Sequence, residues 1–140
     1  MTGRARDIDY KLERLQGVAL LRAASPSELA VIANTADPTT IPGGSPLAVR
    51  GEPVRWVYLI TSGQLQQDSH QISAKPSDGL VGDLAAFAGC VSAHTTIAVT
   101  DVEAFAMSRH DYTALVDNTA VMRAALRASV RDLLGATGTA

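Results

Sequence analysis

The sequence predicts an α+β fold that is mainly β: a small antiparallel β-barrel or jelly roll with N-terminal helices, a short helix within the β region and C-terminal helices. Helix-capping signals and helical periodicity occur at both ends of the chain, whereas residues 39–107 consist of short runs rich in Val, Ile, Leu and Thr between glycine- and proline-containing turns. The chain has 140 residues, of which 46% are hydrophobic and 19% charged, so one globular domain with its own core is expected.

The N-terminal part is predicted to be helical. Apolar residues recur at roughly helical spacing from Asp7 to Arg22, and Gly17 interrupts them, so we expect two short helical pieces. The segment Ser25–Glu28 is a capping box with proline at the first helical position. It predicts a helix that ends before Pro38, because the residue before a proline disfavours the helical conformation.

Six runs in the middle of the chain have the length and composition of strands in a small barrel or sandwich. They are Pro46–Val49, Trp56–Thr61, Leu65–Gln67, Gln71–Ala74, His94–Val99 and Val102–Met107. In the second run, Trp56 and Tyr58 alternate with Val57 and Leu59, so we expect one pair to face the core and the other the surface.

Helices interrupt and end this β region. The alanine-rich run Asp83–Ala88 is too helix-prone for a strand and predicts a short helix. Ser108 can cap a further helix with Asp111, and helical periodicity continues to Leu134, before Gly135, with a break near residues 117–119. We therefore expect one domain over residues 1–134, and a tail or truncated linker over 135–140.

Charge and cysteine content exclude several classes of function. The formal net charge is −2 and the twelve Lys and Arg residues form no run, so direct nucleic-acid binding is not expected. A single cysteine excludes an internal disulfide. No signal peptide or membrane span is visible, and the sequence predicts a soluble, cytoplasmic protein.

No catalytic or metal-binding arrangement is visible either. Cys90 has no basic neighbour that would activate its thiol. The histidines at positions 70, 94 and 110 have none of the spacings of a zinc site, and no serine-hydrolase motif occurs. We expect no enzyme, no metal and no cofactor. A cupin-like metal enzyme on a similar barrel would need a histidine cluster that this sequence lacks.

One segment has the form of a phosphate-binding turn. In Gly79–Ala86, glycines precede the predicted short helix, whose N-terminal amides carry about half a positive charge and favour anions. However, no Lys or Arg occurs from Pro76 to Ser108. The guanidinium that normally assists such amides in holding a phosphate is therefore missing from this segment.

Five features in a fixed order carry a family resemblance. They are Leu20–Ser25, Ile41–Gly44 with Val49–Glu52, Val57–Gly63, Gly82–Ala85 and Thr100–Glu103. Together they resemble a cyclic-nucleotide-binding domain of the catabolite-activator and protein-kinase-A regulatory type, over nearly the whole chain.

The resemblance implies a phosphate-binding cassette in which a glutamate binds the ribose 2′-hydroxyl, an arginine binds the cyclic phosphate and backbone amides contribute. The candidate ligand-binding residues are Gly82, Asp83, Leu84, Ala85, Ser92, Ala93 and His94. In this resemblance Asp83 takes the glutamate position, and the arginine position falls near Ser92, which Ala93 and His94 follow. Loss of the charged donor costs several kcal/mol, or roughly a hundredfold or more in affinity.

Two interpretations of function stay open. The first is a regulatory or interaction module for signalling, with a degenerate cassette that binds cyclic nucleotides weakly or not at all. The second is a sensor of cAMP, cGMP or another small ligand with a non-standard phosphate clamp made of Asp83, backbone amides and His94 or a distant arginine. The discriminating feature is whether Arg50, Arg55 or Arg123 points into the cassette, and we expect that none does.

The last predicted helix suggests a surface for partners. Its apolar stripe consists of Met122, Leu126, Val130 and Leu133. In the resembled family this helix often forms a dimer seam and leads into an effector domain. An effector domain or protein partner, and a homodimer through this helix, are therefore the candidate partners, whether the domain belongs to a larger protein or is free-standing.

Overall fold

Two four-stranded antiparallel sheets form the centre of the computed structural model, which describes residues 10–18, 21–68, 70–72 and 79–138. The first sheet contains, in spatial order, β1 (Asp37–Ile41), β8 (Val102–Ser108), β3 (Trp56–Ser62) and β6 (Leu80–Val81). The second contains β2 (Pro46–Ala48), β7 (Thr96–Ala98), β4 (Leu65–Gln67) and β5 (His70–Ile72). The predicted α+β jelly-roll class is confirmed, as two sheets with no closed barrel among the described strands.

Helices precede, interrupt and follow the sheets. Helix α1 covers residues 10–16 of the described chain, and α2 is Pro26–Thr35. Helix α3, Asp83–Ala88, lies between β6 and β7. Helices α4 (Arg109–Asn118) and α5 (Ala120–Gly138) follow β8.

The predicted helix starts are confirmed by their caps. Ser25 Oγ accepts from the Glu28 amide at 3.1 Å, and Glu28 Oε1 accepts from the Ser25 amide at 3.0 Å, which completes the capping box of α2. Ser108 Oγ accepts from the Asp111 amide at 3.0 Å at the start of α4. Both caps satisfy backbone donors that the helix itself leaves open.

The helix boundaries agree with the sequence except at the C-terminus. Helix α1 ends before Gly17, while the second predicted piece falls partly on residues 19–20, outside the described residues. Thr119 is extended (φ −128°, ψ 130°) and separates α4 from α5, as the predicted break requires. The predicted end at Leu134 is wrong, since α5 continues through Gly135 to Gly138. One glycine costs a helix only about 1 kcal/mol relative to alanine, too little to stop a long helix.

All six predicted strands are present, Leu65–Gln67 with its predicted bounds and the other five with shifted ends, and two further strands were missed. β1 was missed because Asp37 and Pro38 are typical of turns, yet β1 pairs with β8 over five residues at the edge of its sheet, where proline is tolerated. β6 has only two residues, paired with Tyr58 and Leu59. Residues 94 and 95 were predicted in a strand, but they precede β7, while residues 73 and 74 lie outside the described residues.

The core has two parts because the first sheet is covered on both faces. Val57 and Leu59 of β3 are fully buried on the face that packs against the helices. Ile60 and the half-buried Tyr58 pack on the opposite face, between the sheets. Trp56 stays 52% exposed, so the inward pair predicted from the alternation is Val57 and Leu59.

Candidate functional site

The candidate cassette begins at Gly82, the N-cap of α3. Gly82 has φ +88°, a left-handed conformation that glycine adopts without strain. A Cβ at this position would lie 3.1 Å from the Trp56 carbonyl oxygen and 3.1 Å from Val54 Cγ1. The start of α3 therefore depends on glycine both for its backbone conformation and for its close approach to the preceding loop and β3.

Asp83, the counterpart of the family's glutamate, faces another helix of the protein. Its carboxyl Oδ2 accepts a hydrogen bond from Ser129 Oγ of α5 at 2.6 Å, and the two residues are each 6% exposed. Leu84 and Ala85 pack at the edge of the core on the helix side. The first half of the cassette is thus built into the contact between α3 and α5.

Sequence reasoning did not identify Ser129. The signal was its position, three residues after Leu126 and four after Ala125, on the buried face of α5. A serine in such a position needs a hydrogen-bond partner, and here the partner is a carboxylate.

Ser92, near which the resemblance puts the family's arginine position, is buried in its own turn. Its hydroxyl donates to the His94 carbonyl oxygen at 2.6 Å and accepts from the His94 amide at 3.3 Å. Its backbone bonds Gly51 and Glu52, at 2.9 Å each. Ala93, next to it, is exposed. No positive charge takes the arginine's place at Ser92 itself.

His94 belongs to a polar cluster centred on Asp68, a residue that sequence reasoning missed. Asp68 Oδ2 lies 2.6 Å from His94 Nδ1 and 3.1 Å from Arg50 Nη2, and Oδ1 accepts from the Thr95 amide at 3.0 Å. The Thr95 amide, followed by the contacts with His94 and Arg50, lowers the pKa of Asp68 to about 2. The pairing of β4 with β7 brings these residues together across 26 positions in sequence.

Two of the three arginines considered from the sequence have defined contacts. Arg123 donates to the carbonyl oxygens of Val116 (3.1 Å) and Asp117 (2.8 Å) at the end of α4. Arg50 contacts Asp68, so its guanidinium stands beside His94 at the C-terminal end of the cassette. The expectation that no guanidinium serves the cassette stays a prediction.

The outer side of the cassette is apolar and open. Phe87 and Val91 are each 50% exposed. Cys90, the single cysteine of the chain, is exposed at the end of the same segment. Two open concavities of about 200 Å³ are present, one between α1 and the first sheet and one along residues 46–56. Neither is lined by a candidate residue, although Val54 and Trp56 of the second approach Gly82.

Within the described residues, no group of three or more His, Cys, Asp and Glu side chains is arranged to hold a metal ion. The described helices include none that combines the length and apolarity of a membrane span. The site consists of a short helix anchored on α5 and a polar turn anchored on Asp68.

No protein-family model matches the sequence, and no curated protein does either. Solved structures do match. Thermus thermophilus catabolite activator protein superimposes with a TM-score of 0.72 at 21% identity, over 86% of this chain and 60% of that one. A structure of Sp-2Cl-cAMPS bound to PKAR CBD2 gives 0.77 at 17% identity, over 96% and 93%. The regulatory subunit of a cAMP-independent protein kinase A from Trypanosoma brucei gives 0.77 at 15%, over 91% and 47%.

This chain therefore spans less than two thirds of the first and third of these proteins and nearly all of the second. The match extends over both sheets and the helices around them, which is the arrangement that the family resemblance implied. At these identities the similarity defines the architecture: the chain has the fold of the cyclic-nucleotide-binding regulatory domains.

Proposed function

We propose that this chain is a regulatory or interaction module that has kept the cyclic-nucleotide-binding fold and does not respond to cAMP or cGMP in the usual way. One observation carries the proposal. Both positions that would anchor the nucleotide are engaged inside the protein, Asp83 with Ser129 and Ser92 with the backbone of its own turn.

The energetics favour this proposal over ordinary nucleotide binding. The absent arginine removes the strongest phosphate contact, a loss of roughly a hundredfold or more in affinity. A ribose hydroxyl would also compete with Ser129 for a buried carboxyl oxygen, and a hydrogen bond contributes about 0.5–1.5 kcal/mol to stability. The Trypanosoma brucei neighbour supports the idea, since a regulatory subunit described as cAMP-independent has the same fold.

The wider role follows from the proposed lack of nucleotide response. The module acts through protein contacts, with an effector domain or a separate partner, and has no enzymatic activity of its own. Its location is the cytoplasm, and neither DNA nor RNA is a direct partner. Two of the similar structures are longer than this chain, which supports a regulatory domain that is part of a larger protein.

A second candidate function is supported by the position of Arg50. Its side chain is 63% exposed and lies on Asp68 together with His94, so two groups able to carry positive charge stand at the end of the cassette. A small anionic ligand bound there would make the domain a sensor with a non-standard clamp. Substitution of Arg50 by alanine would abolish binding of such a ligand.

The experiment is a calorimetric titration with cAMP and cGMP, accompanied by amide chemical shifts of Gly82, Asp83 and Leu84. We expect no heat and no saturable shift up to millimolar ligand. Saturable shifts at these three amides in the wild-type protein would contradict the proposal and favour the sensor.

A pair of variants tests whether the missing arginine is the cause. Ser92→Arg restores the charge at the family's position, and we expect its affinity for cAMP to rise about a hundredfold, into the measurable range. Ala93→Arg, one residue further on, is the matched control and is expected not to bind. If Ser92→Arg is folded but binds no measurable cAMP, the engaged carboxyl group of Asp83 is the main obstacle to binding.

A further inference from the structure

We propose that two carboxylates of the chain itself, Asp83 and Glu28, clamp helix α5 in its docked position, so that the placement of this helix requires no small ligand. We infer this on the basis of the proposed function, since a module that ignores cyclic nucleotide still needs a means of holding its last helix. The clamp consists of the Asp83–Ser129 and Glu28–Val121 contacts.

The first contact joins the middle of α5 to the cassette helix. At 2.6 Å, the hydrogen bond from Ser129 Oγ to Asp83 Oδ2 is short for an O–H···O contact. Both residues are 6% exposed, so water has little access to the pair. Such a contact is stronger than one on the surface, because the alternative hydrogen bonds to solvent are unavailable to the closed helix.

The second contact joins the start of α5 to α2. Glu28 completes the capping box of α2 with Oε1, and its other oxygen, Oε2, accepts from the Val121 amide at 3.1 Å. That amide lies in the first turn of α5, where no backbone acceptor of the helix reaches it. One side chain thereby caps two helices. The amides of Ser25 and Val121 lower the pKa of Glu28, so this carboxylate stays charged to a lower pH than an ordinary glutamate does.

The spacing of the two contacts makes them a clamp. Val121 and Ser129 are eight residues apart, or about 12 Å along a helix, so together they fix both the position and the direction of α5. Met122, Ala125 and Leu126 are buried between them. Thr119, the extended residue between α4 and α5, is the hinge about which α5 would rotate without the clamp.

Native-state hydrogen exchange of the full chain tests the clamp. In Ser129→Ala we expect the amides of α5 to exchange about tenfold faster, the factor that follows from losing a buried hydrogen bond. Amides of β3 and β8 that open only on global unfolding should speed up by no more than the loss of global stability measured by urea unfolding. Glu28→Gln, which removes the charge of the second contact, should raise exchange at the start of α5 as well.

Arg127→Ala, an exposed position on the same helix, is the control and should leave α5 unchanged. If Ser129 had a merely structural role, the amides of α5 would open at the same free energy as those of β3 and β8, in the wild type and in Ser129→Ala alike, and that result would overturn the clamp. So would exchange in α5 within about twofold of wild type in both Ser129→Ala and Glu28→Gln.

The same samples measured with millimolar cAMP separate this inference from the proposed function. Slowed exchange around Asp83 on adding cAMP to the wild-type protein would refute the proposed function alone, provided that Ser129→Ala still loosens α5. The opposite outcome would be no change in exchange on adding cAMP, together with no change in α5 in Ser129→Ala and Glu28→Gln. It would refute the clamp and leave the proposed function standing.

Discussion

Asp68 shows how one residue can organise a site that lacks the family's arginine. It has a left-handed backbone (φ +52°), which aspartate tolerates better than most side chains. Its amide donates to the Thr95 carbonyl oxygen at 2.6 Å, and its carboxylate holds the Thr95 amide, His94 and Arg50. The turn after β4 and the end of the cassette are thereby tied into one polar cluster.

This cluster predicts a pH dependence of stability. The pKa of Asp68 falls from 3.8 to about 2 on folding, so its contribution is fully present above the unfolded value and is lost as the pH falls from about 3.8 to about 2. Urea unfolding of Asp68→Asn should show a shallower loss of stability over this range than the wild-type protein. Asp117→Asn, at an exposed position in α4, is the control. Equal pH profiles of Asp68→Asn and the wild type would contradict the assignment.

At the scale of the element, the start of α3 depends on close packing. We expect Gly82→Ala to destabilise the protein by about 1–2 kcal/mol from its left-handed backbone, and by more from contact of the new Cβ with the Trp56 carbonyl oxygen. Gly89→Ala is the matched control, because Gly89 is also left-handed (φ +69°) but has no atom within 4 Å of a Cβ. Equal losses in urea unfolding would show that the close approach at Gly82 is unimportant.

Elements with local signals were predictable from the sequence. The capping box located α2, the alanine-rich run gave α3 its observed bounds, and the short turn-flanked run predicted β4 as observed. β1 was not predictable, because its backbone becomes a strand only by pairing with β8, more than 60 residues later. Strand formation at such an edge depends on a distant partner, not on local propensity.

The residues of the candidate site also fall into those that the sequence predicts and those that it does not. Gly82 was identified from glycines that precede a predicted helix start, and Asp83 from the family resemblance. The partners Ser129 and Asp68 were not, since they come from α5 and from the turn after β4. Sequence patterns thus located the cassette but not the groups that engage it.

At the scale of the whole molecule, the core limits which face of α5 can meet a partner. Met122 and Leu126, half of the apolar stripe predicted from sequence, are buried against the protein's own core. Val130 is 40% exposed and remains on the surface together with Arg127 and Arg131. A homodimer through α5, which remains a prediction, would therefore use the face that contains Val130.

Analytical ultracentrifugation tests this arrangement. We expect Val130→Asp to shift the protein towards monomer, because a charge would be buried in the seam. Val31→Asp, at a position 41% exposed on α2, is the matched control and should leave the association unchanged. A wild-type protein that is monomeric at all concentrations, or a dimer indifferent to Val130→Asp, would exclude this seam.

The exposed thiol of Cys90 has a practical consequence. Because it is the single cysteine of the chain and follows α3, a maleimide fluorophore attaches at one defined place next to the cassette. Its emission would follow the surroundings of the cassette in real time, in the native sequence and without engineered labelling sites. Any partner, ligand or substitution that displaces the neighbouring helices could then be screened by fluorescence in a plate reader.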